Sequence, residues 1–163
     1  MSRILLLCAG LLMSGLTFGQ YSLTVSEHAT DIVPGQTTYR VYVDMINPGD
    51  FLSSVYGNEG DPMSFSTSDG FFNDPFGSTV ASGINPAFFA FVPTLEADSW
   101  ITIGIDSQNT GDEVAISTVE DASQPFVASF QSGSAIDGQD IEINTQTGGA
   151  WYVLNGSPNG LPD

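Results

Sequence analysis

The apolar residues of this chain recur at every second position, in short runs separated by Gly, Pro, Asn and Asp. Side chains of a strand point alternately to the two faces of a sheet, so this period indicates strands with one apolar face. The clearest run, residues 38–46, places Tyr39, Val41, Val43 and Met45 on one side. Frequent turn formers are typical of antiparallel sandwiches. We therefore predict an all-β fold, an antiparallel β-sandwich that is Ig-like or jelly-roll-like.

About nine strands are expected, and in the first of them the apolar side chains of Leu23 and Val25 should form a buried face. The predicted strands are residues 21–26, 38–46, 51–56, 63–67, 99–106, 114–119, 126–130, 140–145 and 150–154. Residues 68–93 are rich in Phe, Gly and Asn and follow no period, so we predict a long ordered excursion there. Within it, Asn85 and Pro86 predict a single helical turn, because Asn caps well and Pro suits the first helical position.

The N-terminus predicts export. Arg3 precedes the apolar residues 4–16, and small residues follow up to Gly19. This layout is that of a secretion signal cleaved after Gly19. A retained membrane anchor is the alternative, but the apolar run is shorter than the roughly 20 residues that span a bilayer. We therefore expect a signal peptide at 1–19 and one β-sandwich domain at 20–163, secreted or on the surface of a bacterium, with the periplasm as an alternative.

Composition excludes several classes of partner and of stabilisation. After the leader, Arg40 is the only Lys or Arg and no cysteine remains, so no disulfide can form. About 140 residues suffice for a core without one. The net charge of −17 would repel phosphate backbones and anionic lipids. We therefore expect no nucleic-acid partner and, once the leader is removed, no membrane insertion.

Catalytic side chains are scarce. His28 is the single histidine, in a predicted polar turn, and the chain has no Gly-x-Ser-x-Gly motif. A nucleophile–histidine triad and a zinc hydrolase site are therefore excluded. The nineteen acidic residues leave an acidic glycoside hydrolase or lyase open, because its carboxylate pair is defined by spacing in three dimensions. We predict that the protein is not an enzyme.

Acidic turns offer the oxygen ligands that calcium prefers. The best candidate is loop 106–113, which lacks the closing glutamate of an EF-hand because Ser117 stands there. Its ligands would be Asp106, Asn109, Asp112 and Glu113. Shorter clusters occur at 58–61 and 137–140. Calcium is the one cofactor that the sequence suggests, and the alternative is an ordinary acidic turn between strands.

Aromatic residues suggest a second kind of binding, because exposed aromatic rings on β-modules stack on sugar rings. The candidate ligand-binding residues are Trp100, Trp151, Tyr42 and Arg40. Trp100 and Tyr42 lie opposite the apolar faces of their strands. We favour the interpretation that both faces of these strands are covered, with residues 68–93 as the cover. We expect Arg40 to anchor a carboxylate rather than a ligand.

Five sequence blocks resemble a group of secreted proteins from environmental, often marine, bacteria for which no activity is established. They are TTYRVYVDM at 37–45, SGINPAF at 82–88, DSWITIGID at 98–106, WYVL at 151–154 and GLPD at 160–163. The resemblance implies export and a β fold, and it assigns no catalytic residue. Members usually continue past the last block, which favours a truncated C-terminus over a frayed natural one.

Three functions remain open from the sequence. The leading hypothesis is a non-enzymatic structural or adhesive component, with polysaccharide or other surface proteins as partners. The alternatives are a calcium-dependent carbohydrate-binding module and an acidic glycoside hydrolase or lyase.

Overall fold

The computed structural model describes residues 21–130 and 138–162, so the predicted leader and Asp137 of the 137–140 cluster lie outside the described residues. The regular elements are seven strands and five short 3₁₀ helices. The strands are β1 (Ser22–Thr30), β2 (Thr37–Asp44), β3 (Ser54–Gly57), β4 (Met63–Phe65), β5 (Ser117–Val119), β6 (Ile141–Ile143) and β7 (Gly149–Tyr152). The 3₁₀ helices are Ala81–Gly83, Pro86–Phe88, Pro93–Ala97, Val127–Phe130 and Pro158–Gly160.

All strand pairings are antiparallel, but they form three small sheets rather than two large layers. β1 pairs with β2, β7 lies between β3 and β5, and β4 pairs with β6. The prediction of an all-β antiparallel fold is confirmed, whereas that of a nine-stranded sandwich is wrong for the described residues. Most strands have only three or four residues because turns and close backbone contacts interrupt the alternating runs.

The core forms where the paired strands β3 and β7 meet the isoleucine-rich segment that follows Trp100. Trp151 lies at its centre and is 5 % exposed, with the rings of Phe65 and Phe126 at 6.0 and 5.9 Å. Its indole N–H donates to the backbone oxygen of Thr102 over 3.1 Å. The other buried members of the core are Ala81, Ile101, Ile103, Ile105, Ile116, Phe126, Ile141, Ile143 and Val153.

Two predicted strands are not strands. Residues 99–106 keep Ile101, Ile103 and Ile105 buried as expected, but only Ile101 forms an isolated bridge, with Val80. Gly104 has a φ of 65°, a left-handed conformation that interrupts an extended strand. In the predicted strand 126–130, the structure has the 3₁₀ helix Val127–Phe130, whose first N–H donates to the Glu120 carboxylate over 2.8 Å.

The hairpin β1–β2 turns at Pro34-Gly35, and Gly35 has a φ of 77°, which suits the third residue of such a turn. Its register places Val25 opposite Val41 and Leu23 opposite Val43. These side chains share one face, yet Leu23 and Val25 are 66 % and 63 % exposed. The prediction that this apolar face is buried is therefore wrong, since no residue of the hairpin belongs to the core among the described residues.

The excursion between β4 and the isoleucine-rich segment is ordered by two buried acids. The Asp98 carboxylate accepts the backbone N–H groups of Asp74 and Ser78 over 2.8 and 2.9 Å. Asp74 accepts the Thr94 hydroxyl over 2.6 Å. The predicted helical turn is confirmed: Pro86–Phe88 is a 3₁₀ helix, and the Asn85 side chain accepts the N–H of Ala87.

Three of the C-terminal turn formers, Ser157, Asn159 and Gly160, are buried against the body of the protein. Asn159 is buried and donates to the backbone oxygens of Ile103 and Val114 over 3.0 and 3.3 Å. These bonds join the last 3₁₀ helix to the segment that follows Trp100. Within the part of the chain that the structure describes, no helix has the length and apolar character that crossing a bilayer requires.

Candidate functional site

A cavity of about 260 Å³ lies where the β1–β2 hairpin meets the 3₁₀-rich excursion. The hairpin contributes His28 and Arg40, and the body contributes Glu96, Trp100 and Asp106. The cavity thus brings together the single histidine of the chain, the only Arg after the predicted leader and one of the two tryptophans. We refer to it as the hairpin-base cavity.

Arg40 is the centre of this cavity. Its Nη1 donates to Asp106 Oδ2 over 3.1 Å, and its guanidinium carbon lies 5.7 Å from the centroid of the Trp100 ring. Asp106 is thus the carboxylate partner that was expected for Arg40. Because the Asp106 side chain is 60 % exposed, solvent weakens this ion pair, and its contribution to stability is small. The Nε of Arg40 is buried and has no acceptor among the described residues.

His28 lies at an irregularity of β1, where the register shifts between Glu27 and Ala29, and not in the predicted polar turn. Nη2 of Arg40 lies 3.3 Å from His28 Nε2. A guanidinium can only donate, so a hydrogen bond here requires Nε2 as the acceptor of a neutral imidazole whose proton lies on Nδ1. Burial, and then the positive charge of Arg40, lowers the pKa of His28, and the weaker opposing charges come from Glu96 and Asp106.

The apolar wall of the cavity comes from the excursion. Ile84 and Leu95 are fully buried, whereas Phe89 is half-buried. Ile84 is fixed from both sides, since its N–H donates to Ala81 and its carbonyl accepts from Gln108 over 2.7 Å. The polar groups on the hairpin therefore face a rigid apolar surface. Residues of the excursion border Arg40 at this cavity, but the prediction that both faces of strand 38–46 are covered is wrong, since Val41 on one face and Tyr42 on the other are 49 % and 46 % exposed.

The predicted calcium loop does not gather its ligands. Asp106 forms an ion pair with Arg40, and Glu113 Oε2 accepts the backbone N–H of Thr110 over 2.6 Å. The amide of Asn109 donates to the backbone oxygen of Glu113. Among the described residues, no three His, Cys, Asp or Glu side chains form a group that could hold a metal ion. Asp106, Asp112 and Glu113 therefore do not form the predicted site in this conformation.

The four predicted ligand-binding residues separate into different environments. Arg40 and Trp100 meet at the hairpin-base cavity, and Tyr42 lies exposed on the same hairpin face outside it. Trp151 is buried in the core, so the interpretation of Trp151 as an exposed sugar platform is wrong. Alternation could not reveal this difference, because it does not specify what covers each face.

Asp74 in the excursion and Asp98 just after it are the two buried acids of this region, but they are not a catalytic pair. Burial raises the pKa of Asp98 to about 6, against the lowering effect of the N–H groups of Ser78 and Asp74. Both side chains are buried, with exposed fractions of 1 % and 3 %, and their oxygens are taken up by backbone and hydroxyl donors. A substrate has no access to them, so we assign them a structural role.

The second notable surface is the apolar face of the hairpin, which comprises Leu23, Val25, Tyr39 and Val41. All four side chains are exposed, and neither β1 nor β2 pairs with a third strand in the described part of the chain. Contiguous apolar surface of this kind marks an interaction site more often than isolated exposed residues do. The period-two pattern identified these residues, although it placed them in the core.

Sequence reasoning missed Glu96, Phe89 and the role of His28 in the cavity. No signal in the sequence joins them, since residues 28, 40, 89, 96, 100 and 106 are brought together only by the docking of the hairpin. In comparisons with known proteins, no family model matches the chain, and no curated protein or solved structure matches it. The function must therefore be argued from this geometry alone.

Proposed function

We propose that the protein is an exported, non-enzymatic structural or adhesive component that assembles with further copies of itself through the apolar face of the β1–β2 hairpin. The observation that supports this most directly is the exposure of Leu23, Val25, Tyr39 and Val41 on one face of a hairpin outside the core. Burying such a face is favourable by about 25 cal/mol per Å² of apolar surface.

The distribution of charge favours a second copy as the partner. Residues 21–46 contain three acids and one arginine, whereas the chain after residue 46 contains sixteen acids and no Lys or Arg. Two copies repel one another over most of their surfaces, and the hairpin is where they can approach with the least electrostatic cost. Two such faces packed against each other would form a symmetric interface.

Sedimentation velocity of the full chain at rising protein concentration tests this proposal. We expect a reversible dimer whose fraction increases with added NaCl, because salt screens the repulsion between the acidic bodies. Val25→Glu should abolish the dimer. Ser26→Glu adds the same charge at the next residue, on the opposite face of β1, and should leave it intact. A wild-type chain that stays monomeric at all concentrations and salts contradicts the proposal.

A glycoside hydrolase or lyase is the second candidate, because Glu96 and Asp106 line the same cavity. Glycoside hydrolysis commonly uses an acid and a base or nucleophile placed on either side of the scissile bond. This candidate would be supported if the protein hydrolysed aryl glycosides or released unsaturated products from polysaccharides, and if Glu96→Gln abolished that activity. Binding without turnover would leave the non-enzymatic proposal in place.

A further inference from the structure

We infer that the hairpin-base cavity is a binding site for one neutral sugar ring of a polysaccharide. This inference is independent of self-association, since the cavity opens beside the Arg40 face of the hairpin and not on its apolar face. Sugar binding at this cavity needs no calcium, because the polar groups that would contact the sugar are protein side chains already in place.

The size of the cavity limits the ligand. At about 260 Å³ it lies below the range of roughly 300–1,000 Å³ that is usual for drug-sized ligands. The space therefore suits a single ring with its neighbours in the polymer outside. Two of its lining residues, Pro86 and Asp106, are exposed, so the cavity is open to solvent on their side.

The walls have the two kinds of surface that a sugar ring requires. The C–H faces of a pyranose are apolar and stack on aromatic rings, and Phe89 is a half-buried aromatic residue of the cavity, whereas the guanidinium of Arg40 covers one face of the Trp100 ring. Ile84 and Leu95 provide a buried apolar floor that cannot hydrate the ligand. An apolar lining with a few fixed polar groups is the common form of a ligand site.

The polar side chains of the cavity can form hydrogen bonds with sugar hydroxyls, some as donors and others as acceptors. Glu96 and Asp106 supply carboxylate oxygens, and neutral His28 has a donor at Nδ1. Arg40 supplies the N–H groups of its partly exposed guanidinium.

Charge selects a neutral sugar. Arg40 is already paired with Asp106, which leaves the carboxylate of Glu96 uncompensated in a chain of net charge −17. The carboxylate of a uronic acid would be repelled by this negative potential. An amino sugar would meet the Arg40 guanidinium, which already occupies the position over the Trp100 ring where a ligand cation would bind.

Isothermal titration calorimetry of the full chain with cellotriose, maltotriose, mannotriose and N-acetylchitotriose tests the inference, with trigalacturonate as the anionic counterpart. We expect at least one neutral trisaccharide to bind with a dissociation constant of about 1 mM or tighter. Trp100→Ala should weaken that binding by about tenfold, because it removes the ring that holds the Arg40 guanidinium in the cavity. Tyr42→Ala removes an exposed aromatic ring of the same hairpin outside the cavity, and it should bind as the wild type does.

Trp100 also packs against the core, so Glu96→Gln serves as a second variant that keeps the shape of the side chain. We expect it to bind several-fold more weakly while its thermal unfolding stays that of the wild type. The inference is overturned if no neutral trisaccharide binds, if trigalacturonate binds more tightly than all of them, or if Glu96→Gln and every folded Trp100 variant bind as tightly as the wild type.

Discussion

The guanidinium of Arg40 lies over the indole of Trp100, 5.7 Å from the ring centroid, and thereby joins the β1–β2 hairpin to the body of the protein. Arg40 also bonds to Asp106 and His28. Because none of the hairpin side chains enters the core among the described residues, these contacts at one residue are the principal polar attachment of the hairpin. The attachment and the cavity beside it share the same side chains.

Replacing Arg40 with Gln should loosen the hairpin while the core stays folded. The exposed ion pair contributes up to about 1 kcal/mol and the cation–π contact about 0.5–1 kcal/mol. We therefore expect about 1–2 kcal/mol less protection of the β1 and β2 amides in hydrogen exchange, with the β3 and β7 amides unchanged.

Glu27→Gln is the matched control for Arg40→Gln, because it also changes one charge of the hairpin, at an exposed residue of β1. Its amide protection should equal that of the wild type. Equal loss of protection in the hairpin and in β7 on replacing Arg40 would show that the hairpin does not open separately from the core.

His28 should titrate below the ordinary imidazole pKa of 6.5, because burial and the Arg40 charge both disfavour its protonated form. Since it is the only histidine in the chain, its ring protons give a single NMR titration curve. Arg40→Gln should raise the midpoint, because it removes the neighbouring cation. A wild-type midpoint at or above 6.5 would contradict the geometry described for Nε2.

The same shift makes stability depend on pH. A histidine with a folded pKa below its unfolded value binds protons more readily when unfolded, so its contribution to stability is complete above about pH 6.5. That contribution is lost as the pH falls towards the folded pKa, where the protonated ring would face Arg40 across 3.3 Å. In chemical denaturation at pH 5–7, His28→Gln should flatten this part of the profile.

Asp98 should act in the opposite direction. Its pKa is raised by burial from 3.8 to about 6, so its contribution to stability is complete below pH 3.8 and is lost as the pH rises through about 6. Asp98→Asn removes that dependence. It should also destabilise the fold by about 1–3 kcal/mol, because one of the N–H groups of Asp74 and Ser78 loses its acceptor.

His28 and Asp98 titrate over overlapping pH ranges, so Asp98→Asn is best tested in a protein that already carries His28→Gln. From pH 4 to pH 7 the His28→Gln protein should become less stable relative to the double variant that also carries Asp98→Asn. A constant difference between the two denaturation curves over this range would show that Asp98 titrates alike in both states.

Alternation predicted the strand segments of the hairpin and of β3, β4, β6 and β7, because local side-chain direction follows from the strand period. It could not predict burial, which depends on what packs against each face. Val25 and Ile141 both belong to alternating runs, but Val25 is 63 % exposed and Ile141 is buried.

Single residues of the hairpin-base cavity could be predicted from the sequence, but their grouping around one cavity could not. Arg40 and Trp100 stood out by rarity and chemistry, whereas Glu96 is one acid among nineteen. Only the docking of the hairpin onto the excursion places them around one cavity. The strand expected at 99–106 failed for a related reason, because Gly104 approaches the distant backbone of Asn159.

Gly104 provides a test of that close approach. It has a φ of 65°, and a Cβ added there would collide with the backbone oxygen of Asn159, whose side chain is held by Ile103 and Val114. Gly111 has a φ of 88° but nothing within 4 Å of the added Cβ. Gly111→Ala should therefore cost only the backbone strain of about 1–2 kcal/mol. Gly104→Ala should cost at least about 2 kcal/mol more in urea denaturation, since the backbone contact must also open. Equal costs at the two glycines would mean that the C-terminal 3₁₀ helix does not pack against residue 104.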